Sequence, residues 1–482
     1  MRARACAALL VALAGLSLSA QAGEIVRFEA GLQAHTDVVL ANVPVKALVT
    51  EFLDPGDSGV GKSVGYLVWR EILTAISDQA GAGVILARSP GDQRLTDLLD
   101  QAYHEAAVRI AREQSARMVV WGAVSTTNDN ISVSTYLSLL PEVAGQALTL
   151  RLSGMPPLPP GLEAEIARTN FNFPPVEISH ADLFERKLVA RKEATVRAAA
   201  DASSKGVEKV PAGKTLDAIN MDKGWFEVRL AGGKTGYVDN SVVDVPPRTV
   251  EASHVATALQ DSLGGKRVRA VTLDGAYRVL DMRYVAKKGL WYELQVGDGR
   301  GWVPATAVRA RFSLPVVHFV AGLYRYQFKR YEDARREFSQ YVTASDSRTD
   351  NASLATAYQL LGASTLMTKE TVFQADPAAL NHFSRAVEAT PYDPAAYSLR
   401  ALSTLAVRQE LGGALADLEQ ALLLDPDDAA ATRIARTVYQ SLRAPAGNAR
   451  TLVNMLHDSG QPQIRQRLQA LVSRDLKIDE PQ

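Results

Sequence analysis

Gly224-Trp225-Phe226-Glu227-Val228, followed by Gly233-Lys234-Thr235-Gly236-Tyr237-Val238, is the stretch on which the fold of this chain turns. Apolar and polar residues alternate on either side of a glycine-bearing turn, the period-two signature of a half-buried hairpin. The pattern returns as Gly289-Leu290-Trp291-Tyr292-Glu293-Leu294 and Gly299-Arg300-Gly301-Trp302-Val303, with Trp225 and Trp291 66 residues apart. That offset is the length of a small barrel. The middle of the chain therefore predicts two tandem barrels, over residues 185–246 and 247–312.

Helical spacing takes over downstream. Gly322 is followed by Ala334 and, four residues on, Phe338, with Tyr331 between; a second copy has Gly362, Ala379, Phe383, Ala386 and Pro391. The third has Ala414, Leu418, Ala421 and Pro426, and its proline lies 35 residues after Pro391. This is close to the roughly 34-residue period of a helix-pair repeat. Asp425-Pro426-Asp427-Asp428 stops one helix and supplies N-cap residues for the next. Repeats are expected over 315–445, with 429–442 as a degenerate copy or cap, and a helical tail over 446–482.

Upstream, residues 23–152 interleave the two patterns. Strands are expected at 45–52 (VKALVTEF), 84–87, 118–124 and 131–139, with a turn at Asn128-Asp129-Asn130. Helices are expected at 64–76, with Leu67, Ile72, Leu73 and Ile76 on one face, and at 95–114. Interleaving of this kind implies an α/β layered domain. Pro156, Pro157, Pro159, Pro160, Pro174 and Pro175 punctuate residues 153–184, which read as a linker or an edge wrap because proline cannot donate to a ladder.

Residues 1–22 read as an address. Arg2 and Arg4 precede an apolar run, and Ala20-Gln21-Ala22 forms a small-x-small cleavage site, the layout of a Sec signal peptide. The expected destination is the bacterial periplasm or cell envelope, and the expected mature chain begins near Gly23. No later stretch reaches the ~18 uninterrupted apolar residues of a membrane span. The whole chain has 482 residues, a length that suits about three domains. With 47% hydrophobic and 22% charged residues it is not a disordered chain. Its net charge of zero argues against a general nucleic-acid binder, which needs a basic surplus to neutralise phosphates. Cys6 is the one cysteine, so a disulfide scaffold, a Cys-ligated zinc site and an iron–sulfur cluster are excluded.

The residues quoted carry three resemblances. The C-terminal third resembles tetratricopeptide repeats, in which small residues such as Gly322, Ala334, Ala386 and Ala421 let helices approach and Phe338 and Phe383 fill the gap between them. Such stacks imply a groove for a peptide or a partner domain. The middle resembles two bacterial Src-homology-3-like (SH3-like) domains, through Val196-Arg197, Gly224-Trp225 and GKTGYV in the first, and Val268-Arg269, Trp291 and GRGWV in the second. That family implies binding of peptidoglycan or peptide. The N-terminal domain resembles envelope proteins related to the TolB amino-terminal region and to the CsgG and FlgO groups. The likeness is carried by LVTEFLDPGDSG…GYLVWREILTAIS, GVILARS and ARMVVWGAVSTTNDNISVSTYLSL, and it implies a binding or assembly module.

Some motifs point elsewhere. Residues 56–63 (GDSGVGKS) satisfy the phosphate-loop pattern, with Gly61 and the neighbouring amides as a cradle, Lys62 for the β- and γ-phosphates and Ser63 for Mg²⁺. Against this, the strands that follow end in Arg88-Ser89 and Ser125-Thr126, not in a metal-binding aspartate, and the periplasm lacks ATP. The GDSG within it is also the sequence of a serine-protease nucleophile loop, but only His35 precedes it as a general base. The seven histidines are scattered, without metal-ligand spacing, and no cofactor is expected. For the barrels, Tyr237 and Trp302 beside the glycine hairpins are the expected ligand aromatics, in preference to Trp225 and Trp291. In the repeats Tyr324, Arg325 and Tyr326 are candidates, one or two of them facing the groove.

The sequence thus implies a non-enzymatic, exported scaffold with a protein partner in the repeat groove and peptide or peptidoglycan at the barrels. One alternative is a nucleotide-binding regulator or ATPase using Gly61, Lys62 and Ser63. Another is an accessory factor of envelope secretion or surface-structure assembly.

Overall fold

The structure, a computed structural model, describes residues 24–476 apart from 27, 29, 56–59, 90–98, 128–129, 141–147, 153–158, 160, 167, 180–185, 223–224, 245–248, 264, 286–287, 309–313, 369–374 and 445–447. Residues 1–22, expected to be a signal peptide and including Cys6, and the GDSG run at 56–59 lie outside the described residues. The chain forms two compact units, one from residues before 144 together with 175–313, the other from 144–174 together with 314–482. Among the described residues no helix is long and apolar enough to cross a membrane.

The first unit opens with α1 (Ala30–Asn42), β1 (Val45–Thr50), α2 (Val60–Ala75), β2 (Ala82–Ala87), α3 (Leu99–Glu113), β3 (Met118–Thr127) and β4 (Asn130–Leu139). VKALVT and AGVILA are nearly unbroken apolar runs, as befits parallel strands covered on both faces. β1 is central: it pairs in parallel with β2 from Val45↔Ala82 to Thr50↔Ala87 and with β3 from Ala47↔Met118 to Val49↔Val120. β3 and β4 form the expected hairpin, from Met118↔Leu139 to Thr127↔Asn130. The helix at α1 had no counterpart in the sequence pattern. α2 is buried on all sides from Val60 to Thr74, Lys62 alone excepted, and not only along the face of Leu67, Ile72, Leu73 and Ile76.

Three short strands then belong to the second unit: β5 (Leu148–Arg151), β6 (Glu163–Ile166) and β7 (Asn170–Asn172). The chain re-enters the first unit as β8 (Val176–Ser179), antiparallel to β4. β9 (Arg186–Ala190), β10 (Ala194–Arg197), β11 (Gly206–Val210), β12 (Thr215–Asp222), β13 (Trp225–Arg229), β14 (Thr235–Asp239) and β15 (Val243–Asp244) make one sheet in the order β11-β10-β14-β13-β12-β9-β15. Val210 from one end and Val243 from the other share a core with Val196, Phe226, Val228 and Val238, so the sheet wraps on itself. β16 (Thr249–Gln260), β17 (Arg267–Val285), β18 (Gly289–Val296) and β19 (Gly299–Pro304) follow as a closed four-stranded barrel.

The two β modules repeat one detail. A Cβ on Gly236 of β14 would lie 2.6 Å from Val196 Cγ1 of β10, and one on Gly301 of β19 would lie 2.9 Å from Leu259 Cβ of β16. In each module a glycine is required where the last long strand crosses an early one, β10 in the wrapped sheet and β16 in the barrel. They differ in β17, whose 19 residues pair with β16 along their first part and with β18 along their last.

In the second unit α4 (Pro315–Gln327) pairs with α5 (Tyr331–Ala344), α6 (Asn351–Met367) with α7 (Pro377–Ala389), and α8 (Pro394–Val407) with α9 (Leu411–Leu424); α10 (Ala429–Arg443), α11 (Asn448–Met455) and α12 (Pro462–Leu476) complete it. The starts are written in the sequence. The carboxylates of Asp350, Asp376, Asp393 and Asp428 accept from backbone amides of the first turn, and Pro377 and Pro394 occupy positions that need no amide donor. A Cβ on Gly322 would lie 2.6 Å from Phe338, and one on Gly362 would lie 2.8 Å from Phe383, so each glycine admits the ring of its partner helix. The proline-rich stretch does more than link. β5 and β6 pair from Leu148↔Ile166 to Arg151↔Glu163, and β6 packs with the helices.

Candidate functional site

The outer surface of the wrapped sheet is set by alternation. On β13 and β14 the side chains of Phe226, Val228 and Val238 are wholly buried. Trp225, Glu227, Tyr237 and Asp239 between them are half-buried and share the opposite face. Trp225 sits across from Asp239, Glu227 across from Tyr237, and Arg197 of β10 on the other side of Tyr237. The result is an aromatic pair flanked by two carboxylates and a guanidinium. Such a surface can stack on an apolar or sugar face while its charged rim orients a polar chain. Tyr237 was singled out from sequence. Trp225 was set behind it, although reading the period-two pattern across both limbs of the hairpin puts the two on one face.

Trp302 sits differently. It is 7% exposed, and the Arg283 guanidinium lies over its ring at 5.6 Å. The structure places Tyr237 and Trp302 on different sheets. Trp291, at 8%, is also core. Tyr324, Arg325 and Tyr326 are 0%, 6% and 8% exposed. The helix carrying them, α4, is covered on nearly every side, so none of the three offers an open groove contact. Tyr326 spends its hydroxyl on the carbonyl of Thr149 at 3.4 Å, and burial raises its pKa.

The phosphate-loop residues are committed within the fold. Lys62 Nζ donates to the carbonyls of Asn240 and Val243 (2.7 Å for the latter), joining α2 to the end of the wrapped sheet. The Gly61 amide donates to Asp54 Oδ2 at 3.2 Å, so a carboxylate of the chain stands at the helix N-terminus where a phosphate would bind. Ser63 is 2% exposed. A Cβ on Gly61 would meet the Phe52 carbonyl oxygen at 2.3 Å, which assigns this glycine to close packing of α2 on the strand before it. The same helix joins the closed barrel. Arg70 lies 5.8 Å from the Tyr292 ring centroid, Thr74 lies 3.4 Å from the Tyr292 hydroxyl, and burial pushes that hydroxyl up to about 12.

Among the described residues no group of three or more His, Cys, Asp or Glu side chains is placed to hold a metal ion. His35 is buried, with Nε2 at 3.0 Å from the Val84 carbonyl oxygen and its ring edge-on to Tyr284 at 4.7 Å. Burial lowers its pKa to about 4, against the smaller raising effect of the Val84 carbonyl.

Comparison with known proteins singles out the same region. Residues 192–244 match the family model described as Bacterial SH3 domain. No curated protein matches the chain. Among solved structures the chain is similar to the first TPR (tetratricopeptide) domain of Spaghetti (RPAP3) bound to an HSP90 peptide, with 21% identity over 27% of this chain and 94% of that one and a TM-score of 0.22. It is similar to MamA from Desulfovibrio magneticus RS-1, with 17% identity over 35% and 78% of the two chains and a TM-score of 0.24. YrrB, a TPR protein with an unusual peptide-binding site, gives 16% identity over 34% and 74% with a TM-score of 0.22. The repeat character of the helices rests on their own packing, and residues 192–244 are the part of this chain with a family match.

Proposed function

We propose that the chain is a non-enzymatic scaffold of the bacterial cell envelope that docks on peptidoglycan or a peptide through residues 192–244. One observation carries this reading: the segment that matches a bacterial SH3 domain turns Trp225 and Tyr237 outward together. Paired aromatics with a charged rim suit recognition by stacking and hydrogen bonding, without bond chemistry. The layout of residues 1–22 supports export, and the helical array supplies a second docking element for a protein partner. The N-terminal domain is proposed to be an assembly module related to the TolB, CsgG and FlgO groups, supported by its parallel strands and the hairpin of β3 and β4.

A nucleotide-dependent activity is disfavoured by the geometry of Lys62 and Gly61, whose donors face protein acceptors. The test is co-sedimentation of the full chain with purified peptidoglycan. Wild type is expected in the pellet, and Trp225→Ala/Tyr237→Ala is expected to bind roughly tenfold or more weakly, as for central aromatic anchors. Equal sedimentation of the two proteins contradicts the assignment.

A further inference from the structure

Three helices of the array share one strand as a cover. β6 lies against α6, α8 and α10, the first helices of successive pairs, and β7 lies against α6. Helical repeat stacks bind extended ligands along one continuous face, and α6, α8 and α10 present such a face to β6. Leu150, Leu152 and Leu162 are fully buried, Ala164 and Phe171 are 1% exposed and Ile166 is 3% exposed. Glu163 and Glu165 alternate with them and point away from the core. Within each of β5 and β6 every second side chain is buried.

Polar contacts fix its register. Arg168 Nη2 is 3.0 Å from Asp350 Oδ2, the same carboxylate that caps α6. The Asn172 amide donates to Ser353 Oγ at 3.0 Å, and Arg433 of α10 is 3.5 Å from Glu163. Phe171 and Phe173 meet Phe319 of α4 at 4.8 and 5.5 Å between ring centroids. At Gly161, φ is +97°, and an added Cβ would meet Thr437 Oγ1 at 2.7 Å, so backbone and helix α10 approach closely there.

The helices are composed for this cover. A repeat helix with one open face carries polar residues on that face. In α6 (Asn351–Met367) and α8 (Pro394–Val407) even polar positions are covered: Ser353, Thr356 and Gln359 of α6 and Ser398 and Ser403 of α8 are buried. Ala355, Ala357, Leu360 and Ala363 of α6, and Leu399, Ala401, Leu402 and Leu405 of α8, are each 1% exposed or less.

We propose that β5 and β6 are the resident ligand of the face shared by α6, α8 and α10: a tethered strand pair that covers it and must leave before an external peptide can enter. The class of external ligand follows from the resident. It is an extended peptide with an apolar residue at every second position and an acidic side chain opposite Arg433. A tethered segment acts at an effective concentration on the order of millimolar, so free peptide at micromolar levels does not compete with it. This inference is independent of what residues 192–244 bind.

The test uses the full chain and a fluorescent synthetic peptide of residues 159–174. Wild type is expected to bind it at least roughly tenfold more weakly than Leu162→Asp/Ile166→Asp, whose own strand is expelled. Equal binding to the two proteins, or binding to neither, overturns the proposal. A second measurement needs no variant. In native-state hydrogen exchange the amides of residues 163–166 of wild type are expected to be protected to the level of α8, since an isolated two-stranded hairpin is at best marginally stable. Exchange there at the rate of a free chain overturns the proposal.

Discussion

Lys62 Nζ donates to the backbone carbonyl of Val243 at 2.7 Å, across 181 residues of sequence. A side chain that local sequence places in a phosphate loop is in fact a tie between α2 and the last strand of the wrapped sheet. Lys62→Ala is expected to lower the stability of the first unit by about 1–2 kcal/mol, the scale of a part-buried hydrogen bond from a charged donor. Adding ATP with Mg²⁺ is expected to leave the melting temperature of both proteins unchanged. Differential scanning fluorimetry checks both points, and a nucleotide-induced rise that the substitution abolishes contradicts them.

His35 makes the first unit sensitive to acid. Burial disfavours the imidazolium and lowers its pKa in the folded chain to about 4, from the 6.5 of a free imidazole side chain. Between these values the unfolded chain takes up a proton that the folded chain does not. Stability from this group is therefore complete above pH 6.5 and is lost progressively as pH falls to 4, by up to ~3 kcal/mol. Urea unfolding at pH 7.5, 5.5 and 4.0 is expected to show that loss in wild type and a shallower slope in His35→Gln, in which no group at this position titrates.

Tyr237 and Trp302 are expected to separate by phenotype. Trp302 is 7% exposed beneath Arg283, so Trp302→Ala removes core and is expected to cost about 3–5 kcal/mol of stability. Tyr237→Ala removes a half-buried ring and is expected to change stability by ~1 kcal/mol or less while weakening adsorption to peptidoglycan. Thermal melts beside sedimentation assays distinguish the two.

Asp458 caps α9 from a distance. Its two carboxylate oxygens accept from the Leu411 and Gly412 amides at 2.7 Å each. Asp458→Ala is expected to destabilise the helical unit by about 1–2 kcal/mol, read as a lower urea midpoint. Asp458→Asn is expected to recover only part of that loss, because its one amide oxygen still accepts while its NH2 group faces the other backbone donor.

Local patterns were legible and long-range commitments were not. The alternation in Trp225–Arg229 and Thr235–Asp239 and the Asp-Pro starts of α7 and α8 are each encoded within a few residues. So is the pairing of Gly322 with Phe338, because helical periodicity brings small and large residues into register. The partner of Lys62 is not, since it exists only when the wrapped sheet closes against α2. Residues 148–173 escaped because their strands are only three or four residues long and lie among prolines that read as a linker. One signal could have found them: α6 and α8 carry few charged residues for helices with an open face, Arg400 being the only one on either. Tyr324 is likewise fully buried, on a helix whose residues from Pro315 to Tyr326 are all buried except His318.

The most direct test of the account is a hydrogen-exchange footprint of the full chain with and without soluble peptidoglycan fragments. The account predicts slowed exchange confined to Trp225–Arg229, Thr235–Asp239 and the adjoining Ala194–Arg197. Unchanged exchange in all three strands at fragment concentrations that saturate any binding contradicts it.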